Sequence, residues 1–100
     1  MLKKIAKANI VAKRWFEKVN GNTYHSITIE LEDAHGVKET LRAPFVYGYG
    51  SHYKQTAQEM LFNAGYDVPE KYGDFMKWVN SSEDITITCE DVKRKKDLGL

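Results

Sequence analysis

Residues 22–33, NTYHSITIELED, alternate without a break. Ile27, Ile29 and Leu31 point one way; Thr28, Glu30 and Glu32 point the other. A period of two makes a strand with one dry and one wet face. Residues 37–45, VKETLRAPF, repeat the pattern, with Val37, Leu41 and Phe45 set against Lys38, Thr40 and Arg42. Between them Asp33-Ala34-His35-Gly36 has turn chemistry, and Gly36 can take positive φ. The two segments form a hairpin, with Glu30 or Glu32 across from Lys38 or Arg42.

The preceding segment, NIVAKRWFEKV, is also strand-like, and Asn20-Gly21 is a strong two-residue hairpin signal. Two registers are open. A loop at 20–21 puts Ile10 and Phe16 on the face of Ile27 and Ile29 and turns Trp15 outward beside Tyr24 and Ser26. A loop at 20–22 reverses the parity and turns Trp15 inward. The shorter loop is preferred, although it leaves Arg14 on the apolar face.

Periodicity then changes. Tyr53, Ala57, Met60, Leu61 and Ala64 form one stripe of a helix over 51–64, with Ser51 as N-cap and Gly65 as its stop. A shorter helix starts near Pro69, carries Tyr72, Phe75, Met76 and Val79, and ends around residues 80–82. EDITITCED returns to period two, with Ile85, Ile87 and Cys89 on one face. The order is β-β-β-α-α-β. It predicts an α+β fold, an antiparallel sheet of three to four strands with two helices packed on one face. The last strand can join either edge. Residues 1–100 form a single domain in this scheme, and 93–100 form a basic, weakly ordered tail.

Charge is unevenly placed. Residues 1–19 hold six basic residues against Glu17, a balance of +5; residues 20–92 hold five basic against twelve acidic, −7. Residues 93–100 hold four basic against Asp97, +3. The basic ends can pair with the acidic body or form a patch for an anionic partner. A lone cysteine, Cys89, excludes an internal disulfide and fits a reducing cytosol. No apolar run reaches the length of a signal peptide or of a membrane span. A cytoplasmic protein with no membrane partner is expected.

No catalytic constellation emerges. His25, His35 and His52 do not stand at ligand spacing, so no metal or cofactor is expected. Cys89 alternates with Ile85 and Ile87 as a buried hydrophobe would. Gly48-Tyr49-Gly50 lacks the third glycine of a dinucleotide loop and the Gly-Lys-Ser/Thr of a P-loop. The protein reads as a non-enzyme. The aromatic residues are more suggestive. Tyr47 and Tyr49 flank Gly48 just before the helix start, where His52 and Lys54 take positions at which the helix dipole favours acid. The amides of residues 52–54, unpaired at a helix start, add anion-binding groups. Tyr47, Tyr49, His52, Tyr53 and Lys54 are the candidate binding residues. Alternatively, the tyrosines pack across the corner as core and the helix start is ordinary surface.

The pieces AKRWFEKVNGNTYHSITI and APFVYGYGSHYKQTAQEML resemble a signature of small proteins of tailed phages and prophages. That signature combines Arg-Trp-Phe (Arg14 to Phe16), Gly-Asn-Thr-Tyr-His-Ser (Gly21 to Ser26), Pro-Phe-x-Tyr-Gly-Tyr-Gly (Pro44 to Gly50) and Gln-Thr-Ala (Gln55 to Ala57). It spans roughly half the chain. It implies a phage accessory protein in the host cytoplasm and implies no activity. At fold level, three antiparallel strands, Gly-x-Gly and an alanine-containing helix are similar to the latter part of a double-stranded RNA-binding domain. The long first helix of that domain is missing, and its lysine cluster is reduced to Lys54 with His52.

The expected function is therefore a non-enzymatic binding module acting on a host protein or protein–nucleic-acid complex, for example as an inhibitor of a host defence or nucleic-acid-processing complex. The alternative is a nucleic-acid binder using Lys13, Arg14, Lys93, Arg94, Lys95 and Lys96. A second copy of the chain is a further candidate partner, through an edge strand.

Overall fold

The computed structural model describes residues 2–99. The period-two segments are strands β1 (Ile5–Glu17), β2 (Asn22–Asp33) and β3 (Lys38–Tyr47). Helices α1 (His52–Asn63) and α2 (Tyr72–Ser81) and strand β4 (Ile85–Val92) follow, so the fold is α+β in the expected order. The four strands make one sheet in the order β3-β2-β1-β4. The β1-β2-β3 meander is antiparallel. Strand β4 joins the β1 edge and runs parallel to it, which makes the sheet mixed. Helix α1 carries the chain from the β3 corner to the opposite end, where the Lys3 amide bonds the Gly65 carbonyl at 2.9 Å. Strand β4 then starts beside Ala8 and ends beside Trp15, so it must follow the direction of β1.

The dry face is the one that period two predicts. Ile10 sits opposite Ile29, and Ala12 opposite Ile27. These four pack with Ala57 and Leu61 of α1 and with Phe75 and Val79 of α2. Tyr53, Met60, Ala64, Met76, Ile87 and Cys89 are partly buried around that cluster. Both helical stripes thus face the sheet. Helix α2 starts later than the proline suggests, because the Gln58 side-chain amide holds the carbonyls of Pro69 and Glu70 in the loop before it. At the far end the Tyr66 hydroxyl donates to the Glu39 carboxylate at 2.6 Å.

Three local details depart from the sequence expectation. First, β1 ends at Glu17 opposite Asn22, so the turn spans residues 18–21 rather than 20–21. The Gly21 amide bonds the Glu17 carbonyl at 2.9 Å, and the Asn20 amide bonds the Glu17 carboxylate at 3.1 Å. The register slides by two residues, which preserves parity, and Trp15 stays outward opposite Tyr24.

Second, Phe45 is not on the core face with Leu41. Pairing passes from Ile27–Ala43 to His25–Val46, so β3 carries one extra residue there. A bulge reverses the alternation beyond it. Phe45 stacks on Tyr24 at 4.5 Å on the outer face.

Third, residues 93–99, read as part of a weakly ordered tail, follow a definite path over the sheet. Residues 95–98 form a 3-10 turn that buries Leu98 to 2 % exposure, apart from the helix-covered cluster. The Arg42 guanidinium bonds the Gly99 carbonyl, and Lys95 Nζ lies 5.0 Å above the Phe45 ring. Arg42 pairs with Thr28 on the outer face, so the segment is a strap across that face. Burial of Leu98 on this face removes an apolar side chain from water.

The Leu98→Ala variant is expected to lose about 2–3 kcal/mol in urea denaturation, at the low end for buried leucines. A change under about 0.5 kcal/mol, the size typical of a surface site, would show that the strap does not dock.

Candidate functional site

Residues 48–51 turn the chain from β3 into α1. The Gly48 amide bonds the Thr23 carbonyl at 3.0 Å, which keeps the corner against β2. Below it lies His25, fully buried and on the same face as Ile27 and Ile29. Its Nδ1 stands 3.4 Å from the Gly48 carbonyl and its Nε2 2.8 Å from the Thr56 hydroxyl of α1. A carbonyl only accepts, so Nδ1 carries the proton, and the Thr56 hydroxyl donates to Nε2. Burial pushes the His25 pKa down; the Gly48 carbonyl opposes this, and the neighbouring His52 adds to the lowering. The imidazole is a neutral pin between β2, the corner and α1.

The glycines of the corner have separate causes. A Cβ at Gly48 would stand 2.6 Å from His52 Cγ, so only glycine lets the helix start come this close. Gly50 has φ of 63°, the left-handed region. Its carbonyl accepts from Arg14 Nη1 at 2.7 Å. The same guanidinium binds both oxygens of Asp91 on β4, at 2.8 and 3.2 Å, and lies 5.7 Å above the Tyr53 ring. The hydrogen bond to Asp91 raises the Arg14 pKa.

Tyr49 lies between these two anchored carbonyls. It is 78 % exposed, and Tyr47 is 60 % exposed. An open cleft of about 500 Å³ separates Tyr47 and Tyr49 from His52 and Gln55. Phe16 and Val19, at the adjoining β1–β2 turn, are exposed too. On the outer face Trp15, Tyr24 and Phe45 stack in a row across three strands, at 5.8 and 4.5 Å. Tyr47 meets Tyr24 edge-on at 5.6 Å. One end of the molecule is therefore an aromatic tip.

The structure brings Tyr47, Tyr49 and His52 to one cleft. Tyr53 is half-buried under Arg14, and Lys54 Nζ lies 6.0 Å from the Tyr53 ring. The helix start is not the free anion cradle that the sequence suggests. The His52 and Lys54 amides already bond the Tyr49 and Ser51 carbonyls, at 3.2 and 3.0 Å, and the Ser51 side chain makes no capping bond. The basic residues separate into two groups. Arg14, on the helix side, is engaged by Asp91, Gly50 and Tyr53 and does not join the others. Lys13 lies on the outer face, opposite Ser26 and beside Glu90. Lys93, Arg94, Lys95 and Lys96 reach that face on the strap, where Arg94 lies 3.4 Å from Asp97.

Sequence reasoning passed over His25, Thr56 and Asp91, which hold the corner. For His25 a signal existed, since it shares parity with Ile27 and Ile29. Another open cleft, of about 580 Å³, lies at the opposite end between Lys7, Glu32, Lys38 and Asp84. Its charges answer one another, with Lys7 4.0 Å from Glu32, and no aromatic ring lines it. The Cys89 thiol is half-buried, and burial raises its pKa, which disfavours the reactive thiolate. Among the described residues no His, Cys, Asp and Glu cluster could hold a metal ion, and no helix is long and apolar enough to cross a membrane.

No family model, curated protein or solved structure matches this chain.

The pin makes stability depend on pH. The unfolded imidazole takes a proton near its ordinary 6.5, whereas the buried one takes it only at lower pH. Stability is therefore full above that value and falls as pH drops through it. Thermal melts between neutral and mildly acid pH should show this decline, and His25→Asn should flatten it. An equal slope in the variant would place the proton uptake elsewhere.

Proposed function

We propose that this protein is a non-enzymatic binding module of the phage accessory type, docking its aromatic tip on a host protein or protein–nucleic-acid complex. The observation that carries the proposal is Tyr49, 78 % exposed on a corner whose two flanking carbonyls are held by His25 and Arg14. Presenting a tyrosine this way has a conformational cost that folding has already met. The side chain can enter a partner's pocket with little further ordering. Rigid, exposed aromatic residues are the usual anchors of protein interfaces. Tyr47 and Phe16, at the same end of the sheet, are exposed as well. A small module that blocks a host defence or nucleic-acid-processing complex needs such a surface and needs no catalytic group.

Nucleic-acid binding is the second reading, favoured by Lys13 and the 93–96 run sharing the outer face with Phe45. Base stacking needs open ring faces. Here Tyr24 lies between Trp15 and Phe45, and Lys95 covers Phe45. The faces of Tyr24 and Phe45 are thus used within the protein, which weighs against that reading.

In pull-downs from bacterial lysate, wild-type protein should retain a discrete partner identified by mass spectrometry, and Tyr49→Ala should lose it with an unchanged melting temperature. Equal recovery by the variant removes the corner from the interface. A gel shift with single- or double-stranded nucleic acid that is strong at low salt and falls steeply as salt rises would favour the second reading instead.

A further inference from the structure

The two edges of the sheet differ in how they are defended. Strand β3 has Lys38 and Arg42, a bulge, and Pro44, which has no N–H to offer. Each of these discourages another strand from pairing. Strand β4, ITITCEDV, has no proline, no lysine and no register shift against β1. Its first four residues are all β-branched, which favours extended pairing.

The free hydrogen-bonding row of β4 can be assigned. The Ala8 amide bonds the Asp84 carbonyl at 3.0 Å. In a parallel ladder alternate residues of each strand face the partner, so Thr86, Thr88 and Glu90 point their backbone groups at β1. Ile85, Ile87, Cys89 and Asp91 then point theirs outward. Among the described residues no backbone or side-chain group bonds them. Four successive outward positions on an unbulged strand form a template for another strand.

We propose that a second copy of this chain occupies that template, with β4 pairing antiparallel to β4 of the partner copy and Thr88 opposite its counterpart. A two-fold axis normal to the sheet then joins two four-stranded sheets into one and keeps all helices on one face. Ile85 meets Asp91 of the partner copy, and Ile87 meets Cys89 of the partner copy. The outward groups match in pairs and exchange about eight hydrogen bonds.

Charge selects this arrangement. Strand β4 is preceded by Glu83-Asp84 and followed by Lys93-Arg94. Antiparallel pairing sets Glu83 against Lys93 of the partner copy, and symmetry repeats the match. Glu90 faces Thr86, and Asp91 faces Ile85, so no like charges stand directly opposite. Parallel pairing in register would align Glu90-Asp91 with the same pair and oppose like charges at every end. Thr88 lies on the outer face and is exposed, so a change there leaves the core alone.

Sedimentation equilibrium over a dilution series tests this. The wild-type protein should weigh twice the 11.5 kDa of one chain, with dissociation on dilution. Thr88→Lys places two ammonium groups across the axis and should halve that mass, with an unchanged circular dichroism spectrum. Thr40→Lys, on the β3 edge, should leave the mass unaltered. Hydrogen exchange gives a second, position-specific readout. Amides of Ile87 and Cys89 should be protected in wild type and exchange fast in Thr88→Lys, while that of Thr88 stays protected by β1 in a third variant, Thr86→Lys. A wild-type monomer at every concentration, or a Thr88→Lys variant that keeps the double mass, overturns the proposal.

Discussion

The buried imidazole of His25 bonds on both nitrogens, to the Gly48 carbonyl and to the Thr56 hydroxyl, and through them joins β2, the corner and α1. Everything at the tip depends on that join. A histidine left without partners in the core would cost about 1–3 kcal/mol in lost hydrogen bonding. Satisfied on both sides, it instead orients the start of the helix that covers the sheet. Because Gly48 has no side chain, His52 can close over the same spot. The corner is thus specified by hydrogen bonds from below and by close packing from the side.

Arg14 completes the restraint from β1. Its position on the helix-facing side looks unfavourable in sequence, since a guanidinium there faces apolar neighbours. The structure places it beyond the dense core, where Asp91, the Gly50 carbonyl and the Tyr53 ring supply partners for both its charge and its plane. The pair with Asp91 is at the surface and adds little stability by itself. Its effect is geometric: it ties the end of β4 to the corner. Tyr49 is thus exposed on a constrained backbone, outside the core.

The outer face shows a similar economy of parts. Parity turns Trp15 and Tyr24 outward, the bulge at residues 44–45 turns Phe45 to join them, and the strap returns to set Lys95 over the Phe45 ring. A sheet with helices on one side normally leaves its other side polar. Here the region near Asn9, Glu30 and Thr40 is polar, and the region toward the tip is aromatic. The acidic middle segment of the chain does not form a uniform surface either. Glu32 pairs with Lys7 at the far end, while Asp91 pairs with Arg14 at the tip.

What the amino-acid order determined by itself was most of what short-range periodicity governs, but not the exact first turn, which the bonds from Asn20 and Gly21 to Glu17 set. Alternation assigned the faces of Ile27, Ile29 and Leu31; the 3.6-residue stripe assigned Ala57 and Leu61 to the core; Gly65, at φ of 88°, stopped α1. The exposed tyrosines at 47 and 49 were visible as candidates for the same reason, since they flank a glycine at an element boundary. Tertiary structure alone decided the edge and direction of β4, the face of Phe45, the docking of the strap and the engagement of Arg14. Each of these turns on partners distant in the chain, such as Arg14 and Asp91, 77 residues apart. No local pattern encodes a contact of that kind, because its free energy appears only once both elements are packed against the same sheet.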